Sequence, residues 1–404
     1  MYKGSRVFVL AQSRIPLAML FLAAVVMGNA QVPKQAVTGA IRPHGRLALT
    51  EFYDTPAPWP RLPAGSLIRS EQFDGYTLPP GILAIRFLYH SQSDTGEDVP
   101  ASGVVLIPEG NAPPHGWPVI AWAHRFQGIA RECAPSLQEN LSEGSYFAMY
   151  AKLGYAVVAT DYAGLGTNGR AGYLNLRANS LDVIYGVSAS RRAAPQVGTG
   201  WIAVGEGDGG LVAASVAEME GDTGTPGFLG SVAIGGLFDP KDMIQRLQQQ
   251  EKDAGSAIYL AYGIKSEAPE FDVTGILTDQ GLKLFGDAAK SCEQPDGLWA
   301  STTAQLLKPG WESNPLVQRF FATNMVGKKS TSAPLLVLAS DSDATMPIAR
   351  TASIVNRLCE NGDRVLFYSY PTPNSQTLMG DSVTDQIAWA QARFAKQTAP
   401  TNCH

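Results

Sequence analysis

Histidine is the scarcest source of chemistry in this chain. Five occur in 404 residues, His44, His90, His115, His124 and His404, and none lies between Arg125 and Cys403. A mechanism that draws an imidazole from the second half of the sequence therefore has only the terminal His404 to use. Charge is scarce as well. Asp, Glu, Lys and Arg make up 17% of the residues against 45% hydrophobic ones, which excludes a solvated disordered chain and supplies a sizeable core. No dense Lys/Arg patch accompanies the net charge of −5, so nucleic acid is not an expected partner. CxxC, zinc-ligand spacings and HExxH are all missing, so no metal and no cofactor is expected.

The first thirty residues read as an export signal. Lys3, Arg6 and Arg14 precede an apolar run from Ile15 to Met27, and Gly28-Asn29-Ala30 supplies the small residues of a cleavage site. The run is shorter than the roughly twenty apolar residues of a membrane anchor, the competing reading. Cleavage near Gln31 removes three basic residues and takes the net charge to −8. No membrane span is expected after it, and the destination is the periplasm or the medium. In an exported chain the four widely spaced cysteines, Cys133, Cys292, Cys359 and Cys403, read as two disulfides, for which spacing allows three connectivities.

Short apolar runs alternate with helical patterns, the layout of an α/β domain with a mostly parallel sheet and helices on both faces. The expected strands are Leu83 to His90, Ser102 to Ile107, Val119 to Ala123, Tyr155 to Asp161, Trp201 to Gly205, Ser231 to Gly235, Leu335 to Ala339 and Arg364 to Tyr370. Helical spacing covers Leu181 to Arg192, Gly210 to Glu220, Ile348 to Glu360 and Ser382 to Phe394. The alternation stops between residues 238 and 328, where Met243 to Lys252 is a polar helix-former run and the rest is irregular. The chain thus divides into a signal peptide (1–30), a first part of the core (31–237), an inserted helical cap (238–328) and a second part of the core (329–404).

Two stretches satisfy GxGxxG, Gly164 to Gly169 and Gly205 to Gly210. Neither opens a chain-initial βαβ unit or has a clean acidic strand end about twenty residues on, so dinucleotide binding is not expected. The second stretch, Gly205-Glu206-Gly207-Asp208-Gly209, has the strand–turn–helix context and flanking glycines of a nucleophile elbow, with glycine where the nucleophile belongs.

At this point the chain resembles the secretory lipase family of α/β-hydrolases. The resemblance is carried by Phe52-Tyr53, by Leu88-Tyr89 with Val104, Leu106 and Pro108, and by Pro118 to His124. It continues through Cys133-Ala134-Pro135-Ser136, Gly154-Tyr155 to Gly166, and Pro334 through Asp343 to Pro347. It implies an α/β-hydrolase fold with a helical cap, acyl-ester substrates, and disulfides joining Cys133 to Cys292 and Cys359 to Cys403. It also marks what is gone. Gly207 stands where the family has its serine, and Ser375, after Tyr370-Pro371, stands where the family has its histidine. Arg125 and Phe126 fill the oxyanion region, with Asp208 beside it, and Arg170-Ala171-Gly172-Tyr173 has lost a further histidine. Only the acid, Asp343, keeps its place four residues before Pro347.

A serine hydroxyl attacks only when an imidazole takes its proton, and the acid orients that imidazole. Without both, Asp343 has nothing to orient, and Glu206 and Asp208 set negative charge where an oxyanion would develop. The leading expectation is an exported protein that has lost serine-ester hydrolysis and keeps a cleft for a lipid or other hydrophobic ligand. The rivals are hydrolysis by unconventional residues and a non-catalytic interaction protein. Substitute nucleophiles are poor: Gly186-Val187-Ser188-Ala189-Ser190 reads as helix, Asp208 as a nucleophile would put bulky Glu206 in the tight turn, and His124 reads as packed against main chain. Arg125 with Glu206 and Asp208 could instead plug the old centre through an ion pair, the alternative being three solvated charges.

Overall fold

The computed structural model describes residues 45–242, 247, 254–290, 292, 295–343 and 346–403. The signal segment, His44, His404 and the run from Met243 to Lys252, apart from Leu247, lie outside them. Nine strands form one sheet: β1 (Leu67–Gln72), β2 (Ile82–Gln92), β3 (Asp98–Pro108), β4 (Trp117–Ala123), β5 (Ala156–Thr160), β6 (Val197–Glu206), β7 (Phe228–Ile234), β8 (Leu335–Ser340) and β9 (Val365–Tyr370). Their order is β1-β2-β3-β5-β4-β6-β7-β8-β9. The pairs from β1 to β5 are antiparallel and all those from β5 onward parallel. Every expected strand is present, and β1 was not expected.

Strand periodicity explains why the central runs are apolar throughout. Val119, Ala121 and Ala123 of β4, Trp201 and Ala203 of β6, and Leu335 and Val337 of β8 belong to one buried cluster. The residues between them, Ile120, Trp122, Ile202, Val204, Leu336 and Leu338, belong to a second cluster across the sheet. Each strand thus buries both faces, as parallel strands covered by helices do. The helices α1 (Gly144–Lys152), α2 (Leu176–Ala193) and α3 (Asp208–Thr223) follow β4, β5 and β6. Gly186 to Ser190 lies inside α2, as its helical reading expected.

No strand occurs between β7 and β8 among the described residues. That segment holds α4 (Ser256–Glu267), α5 (Asp279–Ala288), α6 (Thr303–Leu306) and α7 (Pro315–Thr323). The chain then completes the sheet with α8 (Ile348–Glu360) between β8 and β9, followed by α9 (Ser375–Asp381) and α10 (Val383–Phe394). Disulfides join Cys133 to Cys292 and Cys359 to Cys403. The first ties the loop after β4 to the helical segment across 159 residues, so it restricts the unfolded chain over a long closed loop. No helix among the described residues is long and apolar enough to cross a membrane.

Candidate functional site

Parallel strands bring their carboxyl ends to one edge, the usual place for a site in an open α/β sheet. Here β6 lies between β4 and β7, with Ala123 beside Gly205 and Glu206 beside Ile234. The turn after β6 has the backbone of a nucleophile elbow. Gly207, the N-cap of α3, sits at φ 59 and ψ −123, a conformation costly for any residue with a side chain. Its carbonyl accepts the Gly210 N–H at 3.0 Å, which starts α3.

The flanking glycines are required by contact. A Cβ on Gly205 would lie 2.1 Å from the Gly209 carbonyl oxygen, and one on Gly209 would lie 2.1 Å from that of Ala123. At Gly207 the situation is opposite: the nearest atom to an added Cβ is Arg125 Cβ, 3.9 Å away. The turn is packed tight on both sides and open at the one position where a nucleophile would stand.

Ser375 lies next to this opening. A Cβ on Gly235, the residue after β7, would be 2.7 Å from Ser375 Cβ and 3.5 Å from Gly207 Cα, so Ser375 and Gly207 flank one glycine. Ser375 is the first residue of α9, capped by Asn374, whose side chain accepts the Thr377 N–H at 2.9 Å. Asp343 leaves the neighbouring strand β8. The ends of β8 and β9 are held together by Asp341 N–H to the Tyr370 carbonyl at 2.9 Å and by the Ser340 hydroxyl on the Thr372 carbonyl. Asp343 accepts the Met346 N–H at 3.0 Å.

His124 ends β4, and backbone carbonyls face both of its nitrogens. Nδ1 lies 2.7 Å from the Arg125 oxygen and Nε2 3.0 Å from the Asp161 oxygen. Burial pushes the imidazole down to about 4 although both carbonyls favour its charged form, so at neutral pH it donates to one of them. Its ring packs on Tyr162 at 4.1 Å. This is the main-chain packing role expected of it.

Arg125 and Phe126 diverge. Phe126 enters an aromatic cluster with Tyr173 at 4.7 Å and Tyr259 of α4 at 4.5 Å. Beside it His124, Tyr162, Asn179 and Asp208 help to line a cavity of about 30 Å³, enough to admit a water molecule. Arg125 turns the other way: its Nε lies 3.9 Å from Glu206 Oε2 and 3.6 Å from Glu143 Oε1. The ion pair with an elbow carboxylate is therefore present for Glu206.

Glu143 is the residue that sequence reasoning missed. It is the N-cap residue of α1 and 9% exposed. Burial, the largest cause, and Glu206 push its carboxyl up to about 7, with Arg125 opposing them. The Tyr146 hydroxyl is pushed up to about 12 by burial and by the charges of Glu143, Glu206 and Asp381. Among the described residues no group of three or more His, Cys, Asp or Glu side chains could hold a metal ion.

A mixed sheet of this order, an elbow after the central strand and helices on both faces define the α/β-hydrolase fold. Solved structures agree. Candida antarctica lipase A in its closed state superposes with a TM-score of 0.76 at 15% identity, over 88% of this chain and 87% of that one. The rice cell wall degrading esterase LipA from Xanthomonas oryzae gives 0.66 at 19% identity, over 83% of this chain and 100% of that one. A putative hydrolase from Legionella pneumophila gives 0.66 at 16% identity, over 82% and 99%. No protein-family model and no curated protein matches the sequence.

Proposed function

We propose that this chain is a lipase-like α/β-hydrolase-fold protein that no longer performs serine-ester hydrolysis. One observation carries the reading: an elbow with its φ 59 turn and both flanking glycines that bears no side chain at Gly207. The assignment of Ser375 to the lost histidine position is supported by its place beside Gly235, which also lies against Gly207, and that of Asp343 to the retained acid by its place just after β8. Arg125, paired with Glu206 and Glu143, serves as the plug of the old centre, its Cβ 3.9 Å from where a Cβ on Gly207 would stand. A fluorophosphonate probe tests this. The intact mass of the treated protein should be unchanged, and a single covalent adduct would overturn the reading.

Hydrophobic-ligand binding is the second reading, favoured by the aromatic walls at Phe126, Tyr173 and Tyr259. The cavity of about 30 Å³ beside Phe126 is far too small for an acyl chain as it stands. Organic extraction and mass spectrometry of the purified protein check this, together with thermal shifts from fatty acids. Hydrolysis by unconventional residues is weakened at two of its candidates, because His124 is held by main chain and Ser188 lies within α2. Ester turnover that follows the protein through purification and survives Asp343→Ala would revive it. In this account residues 31–237 and 329–404 form the hydrolase core, 238–328 its cap, and 1–30 an export signal. The paired cysteines, which persist in oxidising compartments, support export, and the mass of the mature chain tests it.

A further inference from the structure

The centre above the elbow is built of acids. Glu206, 3% exposed, and Glu143, 9% exposed, face a common point from the end of β6 and the start of α1. A buried carboxylate persists when hydrogen bonds and an opposite charge compensate it. Here the compensation is incomplete. Glu206 Oε2 is buried and accepts no hydrogen bond. The one cation between the two acids, Arg125, approaches them through Nε at 3.6 and 3.9 Å, beyond hydrogen-bonding distance, with its side chain 42% exposed. The guanidinium therefore balances charge without satisfying Glu206, and it is reachable from solvent. Next to it is the open position over Gly207, where the nearest atom to an added Cβ is 3.9 Å away and belongs to Arg125 itself.

We infer that this centre is a cation-binding site, built for a guanidinium or primary ammonium group seated between Glu143 and Glu206, and that Arg125 is its tethered occupant in this structure. The chemistry that would recognise such a ligand is on the page: two buried carboxylates from different elements, one with an unused acceptor, and a half-exposed arginine whose Nε stands 3.6 and 3.9 Å from them. Ester substrates, whose reaction develops negative charge, meet the wrong potential here. The inference deepens the non-hydrolytic reading of the same centre. It is tested by binding alone, so its failure leaves that reading standing.

The test is thermal denaturation of full-length Arg125→Ala with millimolar methylguanidinium or methylammonium, at a pH well above the parent Glu143 value of about 7, because loss of the Arg125 charge raises that carboxyl further. Tetramethylammonium at equal ionic strength, which has charge but no N–H, is the control. The unliganded variant should melt below the parent protein. Methylguanidinium and methylammonium should raise its melting temperature while tetramethylammonium does not. The parent should bind both donors about tenfold or more weakly, because its own guanidinium competes. Adding Glu206→Gln should abolish the rescue. Equal responses to all three cations, or a rescue that persists with Glu206→Gln, would overturn the inference. If Arg125→Ala does not fold, Arg125→Gln, which keeps side-chain donors and removes the charge, is subjected to the same comparison and the same criteria.

Discussion

The elbow after β6 and the loop after β9 both lie at the carboxyl edge of the sheet, and they differ in what they present there. The elbow keeps its backbone and lacks a side chain at its apex. The loop after β9 has a side chain, Ser375, where the family resemblance asks for an imidazole, and it passes directly into α9. The difference lies in what holds each geometry. Gly205 and Gly209 touch the carbonyl oxygens of Gly209 and Ala123 so closely that no Cβ fits, so the turn is fixed by packing between β6, α3 and β4. It needs no catalytic role to persist, and glycine at Gly207 even relieves its strain.

Four substitutions break or sharpen this contrast. Gly209→Ala should be the most damaging, costing more than about 3 kcal/mol, because the added methyl meets backbone that cannot yield; urea denaturation measures it. Glu143→Gln comes next, with the opposite sign. The Glu143 carboxyl titrates near 7 in the folded protein against its ordinary 4.5, so the folded state holds a proton that the unfolded state releases between those values. The parent chain therefore loses stability as pH rises from 4.5 to 7. The variant should be more stable by up to about 3 kcal/mol above pH 7 and gain nothing below 4.5. A pH series of melting curves checks this, and a gain largest in acid would refute the sign.

Gly207→Ser should fit sterically yet cost about 1–2 kcal/mol for a side chain at φ 59, and it should bring no ester turnover by itself. Ser375→Ala should be the mildest, within about 0.5 kcal/mol of the parent. If Gly207→Ser destabilises as much as Gly209→Ala, the elbow apex is not open as described.

The central strands were legible because burial on both faces makes them continuous apolar runs. The edge strand β1 was not. Its Leu67-Ile68-Arg69-Ser70-Glu71-Gln72 ends in three exposed polar residues and is recruited by pairing with β2, a long-range fact that local pattern does not carry. At the site, glycine at Gly207 and arginine at Arg125 could be read directly, and an Arg125 ion pair with Glu206 or Asp208 was one of two readings, the other being solvated charges. Glu143 was invisible because it reaches the elbow from another part of the chain. The signal that could have found it is local: an acid just before Gly-Ser-Tyr-Phe-Ala-Met-Tyr-Ala, whose Phe147 and Tyr150 are spaced as a helix face. The start of α9 was likewise announced by Asn374, a capping residue three positions before Thr377.

The central claim is that an intact elbow without a nucleophile or an imidazole does not hydrolyse esters. Turnover of a short-chain aryl ester by the purified parent protein, followed across its gel-filtration peak, tests this most directly. The account predicts a rate equal to that of buffer in every fraction. A rate that rises and falls with the protein peak would contradict it.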